Sequence, residues 1–206
     1  MAEAKIQWVK LKEYSLAWSA REAGFDLTMF DDYTPQAKSA LKTAAVRKAL
    51  EYLEYEYEDT TGHSLKDLSW GVYVIRMTSG MSIRYDEGVS PVIYIGRGSV
   101  GGRVKSHFYD KLFPMMQTLS GAQYDFWITE PKKGTRGRPS AKYHTQLEHD
   151  LLAKFEEKYG SLPLLNKNRG TNCGEDIGDN WDKPIRTRGQ QPKWILEATK
   201  HFKIGS

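Results

Sequence analysis

The feature that most constrains the fold is a pair of short apolar runs at residues 70–76 and 91–96. Both runs are rich in β-branched and aromatic residues, have the length of a strand and hold a glycine close to a tyrosine. They predict two strands that pair antiparallel. The connection between them is long and contains Gly80 and Gly88, so it carries either a specificity element or only a hairpin.

A helix, a third strand and a second helix follow these runs. Small residues lead into a helix that begins near Ser99 or Val100, and Pro114 ends or bends it. Residues 122–129 have the composition of a strand. A strong apolar stripe then predicts a helix over residues 141–159.

Further helices are expected on both sides of this stretch. Thr34 can cap a helix and Pro35 suits the first helical position, so we predict a helix over residues 35–57. Residues 168–191 are rich in glycine and polar side chains and predict a loop. Residues 192–203 carry apolar side chains at helical spacing, which predicts a short docking helix.

The composition excludes several classes of protein. Cys173 is the single cysteine, so no internal disulfide forms, and no cysteine–histidine cluster has zinc-binding spacing. No apolar run approaches the ~20 residues that span a bilayer, and the N-terminus lacks the pattern of a secretory signal. We therefore expect a soluble, cytoplasmic protein with no membrane partner.

Glu148 is a candidate ligand for a divalent metal ion. It follows the apolar Leu147 on a predicted helix, at the margin of the buried stripe, where a carboxylate can hold a hard cation. The alternative is a surface ion pair with Lys142 or Lys154, which has little functional meaning.

Four further side chains have the chemistry of phosphate binding and proton transfer. Arg103 and His107 are four residues apart on a predicted helix and share one face; arginine binds phosphate and histidine moves protons near neutral pH. Taken alone, this pair is better explained as an exposed arginine and a histidine on a helix surface. Tyr73 and Tyr94 lie in adjacent predicted strands, where tyrosine often only packs, and a phenol needs cationic help to act as a base.

The order of these parts resembles the GIY-YIG nuclease family. The triplets Gly71-Val72-Tyr73 and Tyr94-Ile95-Gly96 precede the helix arginine, the helix glutamate and Asn166, over roughly residues 69–168. The first triplet departs from the family's Gly-Ile-Tyr by a change of methylene size, which alters little.

The resemblance implies roles for six residues. Tyr73 lies close to the attacking water, Tyr94 helps to place the scissile phosphate, Arg103 stabilises phosphate charge, His107 assists proton transfer, Glu148 is the sole carboxylate ligand of the metal, and Asn166 ties the far edge of the site together by hydrogen bonds. Whether Tyr73 or His107 deprotonates the water stays open.

The resemblance also implies an architecture. We expect an α+β fold with a small, mostly antiparallel three-stranded sheet flanked by helices, and with helical N- and C-terminal extensions. The chain then divides into an N-terminal helical extension at residues 1–68, a nuclease core at 69–168, and a basic C-terminal extension at 169–206 that includes the docking helix.

The implied function is a DNA endonuclease that depends on Mg²⁺ or Mn²⁺ and leaves 5′-phosphate and 3′-hydroxyl ends. The spacing of Arg103 and His107 resembles the restriction-enzyme branch of the family, which favours a sequence-specific type II restriction-like enzyme. A palindromic site would require a homodimer. The alternatives are a phage or mobile-element, repair or toxin nuclease of the same fold, and a catalytically silent DNA-binding module. An RNA substrate also stays open.

Basic side chains on both sides of the predicted metal ligand are candidates for contacts with double-stranded DNA, because cationic density near a site favours phosphate binding. They are Arg97, Lys105, Lys132, Lys133, Arg136, Arg138, Lys142, Arg186 and Arg188. The tetrapeptide Arg-Gly-Arg-Pro at residues 136–139 resembles the core of an AT-hook, which lays arginine side chains along the minor groove.

Overall fold

The computed structural model describes residues 6–14, 16–78, 80–119, 122–132, 140–186 and 192–197. Its strands are β1 (Val9–Tyr14), β2 (Gly71–Met77), β3 (Met81–Arg84), β4 (Val89–Ser90), β5 (Val92–Gly98), β6 (Tyr124–Thr129) and β7 (Trp194–Glu197). Its α-helices are α1 (Leu16–Glu22), α2 (Pro35–Thr61), α3 (Val100–His107), α4 (Phe113–Thr118) and α5 (Ala141–Tyr159). Short 3₁₀ helices span Leu27–Asp32, Leu65–Asp67 and Lys183–Ile185.

The larger sheet has the strand order β1-β6-β2-β5, and all neighbouring strands are antiparallel. The three strands predicted from the sequence, β2, β5 and β6, are confirmed. The expected number of three strands is wrong by one, because β1 from the N-terminal segment pairs with β6. Residues 72–75 of the central strand β2 are fully buried, which explains their uninterrupted apolar run.

The connection between β2 and β5 is a hairpin that belongs to a smaller sheet. β3 pairs with β4 antiparallel and with β7 in parallel. The docking helix predicted over residues 192–203 is therefore wrong at residues 194–197, and its continuation from residue 198 lies outside the described residues. The free edge of β3 offers backbone hydrogen bonds to residues 194–197, and helical spacing over so few residues also fits a strand.

α2 is confirmed and extends four residues beyond the predicted end, to Thr61. The Thr34 hydroxyl accepts a hydrogen bond from the backbone N–H of Ala37 at 3.2 Å, and Pro35 occupies the first turn. Gly62 ends the helix in the left-handed conformation with φ 72°. The buried stripe of α2 packs against α1 and β1.

Pro114 does not end the helical segment that begins at Val100, so that part of the prediction is wrong. α3 passes into a π-helical turn over Phe108–Leu112, and α4 continues to Thr118. Pro114 lies in the first turn of α4, where its missing N–H costs little.

α5 is confirmed at both ends. The Ser140 hydroxyl accepts a hydrogen bond from the backbone N–H of Tyr143 at 3.4 Å, and Gly160 ends the helix with φ 77°. The helix packs against β5 and β2 through a stripe that includes the fully buried Leu147. Glu148 therefore lies at the margin of the core, next to the strands that carry both triplets.

The described residues form a mixed α+β structure with antiparallel sheets and several helices. Strands from both predicted extensions join the sheets, β1 in the larger and β7 in the smaller. The predicted boundaries at residues 68/69 and 168/169 stay predictions. In the part of the chain that is described, no helix is long and apolar enough to cross a membrane.

Candidate active site

The register of β2 and β5 brings the two triplets face to face. Tyr73 pairs with Gly96 across the strands. A Cβ atom added at Gly96 would lie 2.5 Å from Cε1 of Tyr94 and 2.8 Å from the hydroxyl of Tyr73. Both rings therefore occupy the space above this glycine, and no larger residue fits there without moving them.

The glycine of the first triplet serves the packing of α3. A Cβ atom added at Gly71 would overlap Cγ2 of Val100, the first residue of α3. The backbone N–H of Val100 also donates a hydrogen bond to the carbonyl of Leu68 at 3.1 Å. Close contact with Gly71 thus sets α3 against β2 and carries Arg103 and His107 toward the tyrosines.

Tyr73 and His107 form a buried hydrogen-bonded pair. The Tyr73 hydroxyl and Nε2 of His107 are 2.8 Å apart, and the two side chains are almost completely shielded from solvent. The Tyr94 ring packs against both, with ring centroids 4.2 Å from His107 and 5.9 Å from Tyr73. These three rings form a single cluster between β2, β5 and α3.

Burial keeps this cluster uncharged. It raises the pKa of Tyr73 and of Tyr94, so both phenols stay protonated at neutral pH. Burial, helped by the positive charges of Lys111 and Arg103, lowers the pKa of His107 to about 4. A neutral imidazole offers one nitrogen as an acceptor, so the Tyr73 hydroxyl is able to donate to Nε2 of His107.

Glu148 lies in a charged network near Tyr94. Its Oε2 accepts a hydrogen bond from Nε of Arg97 at 2.7 Å, and Nη1 of Arg97 donates to Nε2 of His144 at 3.1 Å. Nδ1 of His144 lies 3.2 Å from the carbonyl of Ser140. Since a carbonyl only accepts, Nδ1 carries the proton, which leaves Nε2 free to accept from Arg97.

Burial and charge act in opposite directions on Glu148. Burial raises the pKa of its carboxyl group, while the hydrogen bond and charge of Arg97 and the charge of Arg103 lower it. The Glu148 side chain is 15% exposed and the Arg97 side chain 34% exposed, so the pair is open to solvent on one side.

Sequence reasoning missed His144 altogether and gave Arg97 a different role. His144 is four residues before Glu148 on α5, and this spacing was the available signal. Arg97 directly follows the second triplet and was predicted to contact DNA; the structure places its guanidinium on Glu148. The DNA contact of Arg97 stays a prediction.

Arg103 is exposed on α3, and its charge acts on both halves of the site. It influences the pKa of Tyr73, Tyr94, His107 and Glu148. Among the residues that the structure describes, Arg103 forms no ion pair. Its guanidinium is therefore available to an anion that enters between the tyrosines and the glutamate.

Asn166 forms two hydrogen bonds to the outer edge of β5. Its Oδ1 accepts a hydrogen bond from the N–H of Ile95 at 2.9 Å, and its Nδ2 donates to the carbonyl of Ile95 at 2.7 Å. β5 is an edge strand, so these backbone groups have no strand partner on that side. The Asn166 amide replaces that partner and holds the Tyr94 segment in place.

An open cleft of about 430 Å³ lies beside Tyr94, Glu148 and Asn166. Its lining consists of Tyr94, Lys111, Glu148, Leu165, Asn166, Lys167, Asn168, Gly170 and Thr171. Tyr73 and His107 lie behind the Tyr94 ring. The lining therefore combines side chains from β5, the π-helical turn after α3, α5 and the loop that follows α5.

Glu148 is suited to a hard divalent cation with few protein ligands. No group of three or more histidine, cysteine, aspartate or glutamate side chains lies close enough to share a metal within the described ranges. Mg²⁺ commonly binds through one or two carboxylates and completes its shell with water and substrate phosphate. A single carboxylate that faces a polar cleft fits that pattern, with Arg97 as its present partner.

The predicted DNA-contact residues that the structure describes lie on several different elements. Lys105 is exposed on α3 and Lys142 is exposed at the start of α5. Lys132 pairs with Glu130 at 3.2 Å, and Arg186 pairs with Asp182 at 2.6 Å. Lys133, Arg136, Arg138 and Arg188 lie outside the described residues, as does the tetrapeptide at residues 136–139.

No protein-family model matches the chain, and neither a curated protein nor a solved structure matches it. The function of this protein is therefore inferred from the residues in and beside the cleft.

Proposed function

We propose that this protein is a divalent-metal-dependent endonuclease of the GIY-YIG type that hydrolyses phosphodiester bonds in DNA. One observation carries the proposal. Tyr94, Glu148 and Asn166, predicted from widely separated positions in the sequence, line one cleft. Tyr73 and His107 pack against Tyr94, and the charge of Arg103 acts on Tyr73, Tyr94, His107 and Glu148. Together they supply a proton acceptor, a cation for phosphate and a carboxylate for metal.

Glu148 would hold the metal ion in this proposal. Bound there, Mg²⁺ or Mn²⁺ supplies Lewis-acid stabilisation of the charge on the phosphate. The hydrogen bond and charge of Arg97 oppose the rise that burial causes in the pKa of Glu148, and His144 orients Arg97. Arg103, exposed and without an ion-pair partner among the described residues, contributes positive charge to the phosphate as the transition state forms.

Proton transfer is assigned to the buried pair. As water forms a bond to phosphorus, it loses a proton toward the Tyr73 hydroxyl, which passes its own proton to Nε2 of His107. The bond from phosphorus to the 3′ oxygen breaks, and that oxygen leaves with the bonding electrons and takes a proton from solvent. The negative charge of a bound phosphate near Arg103 offsets part of the lowering of the His107 pKa, which makes the imidazole a better base.

A sequence-specific type II restriction-like enzyme is the form of this function that we favour, because Arg103 and His107 share a face of α3. Cleavage of both strands of a palindromic site would then need a homodimer. The ion pair of Arg97 and Glu148 favours a second candidate, a catalytically silent DNA-binding module. In that case the arginine permanently occupies the carboxylate that a metal needs.

Incubation of the full chain with plasmid and phage DNA tests the proposal. Discrete fragments with Mg²⁺ and none with EDTA would support a sequence-specific nuclease, and the fragments would carry 5′-phosphate and 3′-hydroxyl ends. A smear of fragments would instead favour a toxin or repair nuclease of the same fold. DNA binding without cleavage in any metal would favour the silent module.

A further inference from the structure

Two lysines in the cleft have no part in the proposed chemistry. Lys111 comes from the π-helical turn after α3, and Lys167 comes from the loop after α5. Both line the same cleft as Tyr94 and Glu148. They approach it from different elements, so the fold itself brings them together.

Lys111 is held in place by its surroundings. Its Nζ donates a hydrogen bond to the carbonyl of Leu165 at 3.2 Å and lies 4.3 Å from the centroid of the Tyr94 ring. A lysine ammonium has three donors, and the Leu165 carbonyl takes one. The Lys111 ammonium is thus ordered in advance, with donors left for a ligand.

The charge balance of the cleft favours an anion. Lys111 and Lys167 both line it, and Glu148, the one carboxylate among the described lining residues, already pairs with Arg97. Neither lysine forms an ion pair within the part of the chain that the structure describes, although Asp110 offsets some of the charge of Lys111. Burial, followed by the charge of Lys167, lowers the pKa of Lys111, as expected of two cations that lie near each other.

The rest of the lining selects a small, highly polar ligand. Asn168 and Thr171 add neutral donors and acceptors, and the Asn166 amide is already used by β5. A phosphate group combines negative charge with several acceptor oxygens, which matches two ammonium groups beside neutral donors.

We propose that Lys111 and Lys167 form a second phosphate subsite, which binds a backbone phosphate of the nucleic acid beside the phosphate that Arg103 faces. This inference rests on the proposed nuclease function and adds a substrate contact to it. The subsite anchors the strand so that the scissile phosphate lies between Arg103 and Glu148.

The salt dependence of DNA binding tests the subsite without any cleavage. Binding of a duplex oligonucleotide to the full chain is measured in EDTA over a series of salt concentrations. Loss of one phosphate contact lowers the magnitude of the negative slope of log K against log salt by about 0.9. We expect that decrease, with weaker binding, for the double variant Lys111→Gln/Lys167→Gln. The control Lys154→Gln removes an exposed lysine of α5 that pairs with Glu157, and its slope should equal that of the wild type.

Two further variants separate charge from packing. Lys111→Arg keeps the cation and should keep the wild-type slope. Lys167→Gln alters an exposed side chain. It should lower the magnitude of the slope while the melting temperature stays unchanged. A wild-type slope in both Lys167→Gln and the double variant would overturn the subsite and leave the nuclease proposal intact.

The source of the phosphate is tested separately. If inorganic phosphate raises the melting temperature of the wild type but not of the double variant, while both bind duplex with the same slope, the cleft is a site for free phosphate and the backbone assignment is wrong. Failure of the wild type to bind duplex at any salt concentration would overturn the nuclease proposal and the subsite together.

Discussion

The Tyr73–His107 pair and the Arg97–Glu148 pair both lie near Tyr94, yet burial affects them differently. Tyr73 and His107 are almost completely enclosed, and both groups are neutral. Arg97 and Glu148 are partly enclosed, and both are charged, joined by a 2.7 Å hydrogen bond.

The difference shows what decides the charge of a buried group. Burial favours the neutral form, and it outweighs the charge of Arg103 at Tyr73 and the charge of Asp110 at His107, so both groups stay uncharged. The opposite charge of Arg97 reduces that penalty for Glu148. The Tyr73–His107 pair, the neutral half of the site, is therefore suited to moving a proton. The Arg97–Glu148 pair, the charged half, is suited to holding a cation or a phosphate.

Glu148→Ala tests the charged half and has the largest expected effect. It removes the only carboxylate that the described residues contribute to the lining of the cleft, so we expect cleavage to fall by about 10³-fold or more, while DNA binding is largely kept. Initial rates with Mg²⁺ and duplex binding in EDTA measure the two effects. Glu157→Ala, at an exposed position on the same helix, is the control. Full activity in Glu148→Ala would remove this residue from the metal site.

Arg103→Ala tests the charge that reaches both halves. Loss of a cation that stabilises the transition state typically lowers the rate by about 10²–10³-fold. Arg103→Lys should recover part of the rate, because it keeps the charge but not the planar fork of donors. Single-turnover cleavage measures the change, with Arg47→Ala on the surface of α2 as the control. Unchanged turnover in Arg103→Ala would mean that the cation acts elsewhere.

Tyr73→Phe and His107→Gln test whether the neutral half acts as one unit. Each substitution breaks the 2.8 Å hydrogen bond, and we expect each to lower the rate by about 10²-fold. The double variant should be about as slow as either single variant, since both remove the same proton path. Effects that multiply in the double variant would show that the two residues act independently.

Gly96→Ala tests how tightly the Tyr73 and Tyr94 rings pack above the backbone of β5. The added methyl group would lie 2.5 Å from Tyr94 and 2.8 Å from the Tyr73 hydroxyl, so both rings must move. We expect the free energy of unfolding to fall by about 1–3 kcal/mol and cleavage to be lost at temperatures where the variant is folded. Denaturant unfolding and activity are measured together, and retention of both would show that the rings have room to shift.

The last expected effect is on stability at acidic pH. The pKa of His107 is lowered from 6.5 to about 4 in the folded protein, so below pH 6.5 the unfolded chain binds a proton that the folded chain does not. The free energy of unfolding should therefore fall as the pH decreases from 6.5 toward 4. The decrease should be shallower in His107→Gln, as measured by urea unfolding at several pH values. Equal slopes in the two proteins would show that His107 is not buried as a neutral group.

Local sequence signals predicted the elements that carry the site. The apolar runs of β2 and β5 and the caps of α2 and α5 depend on neighbours within a few residues, and these elements are where they were expected. The four-stranded sheet and the strand at residues 194–197 could not be predicted in this way. They depend on free strand edges of β6 and β3, which are distant in the sequence.

The sequence by itself determined the candidate residues and the faces of the elements that hold them, because side-chain chemistry and periodicity are local properties. Only the tertiary structure decided their partners. Arg97 meets Glu148 across 51 residues, and Asn166 meets Ile95 across 71 residues. Such contacts depend on strand register and on the packing of α5 against β5, which no local pattern encodes. The same packing makes one half of the cleft neutral and the other half charged.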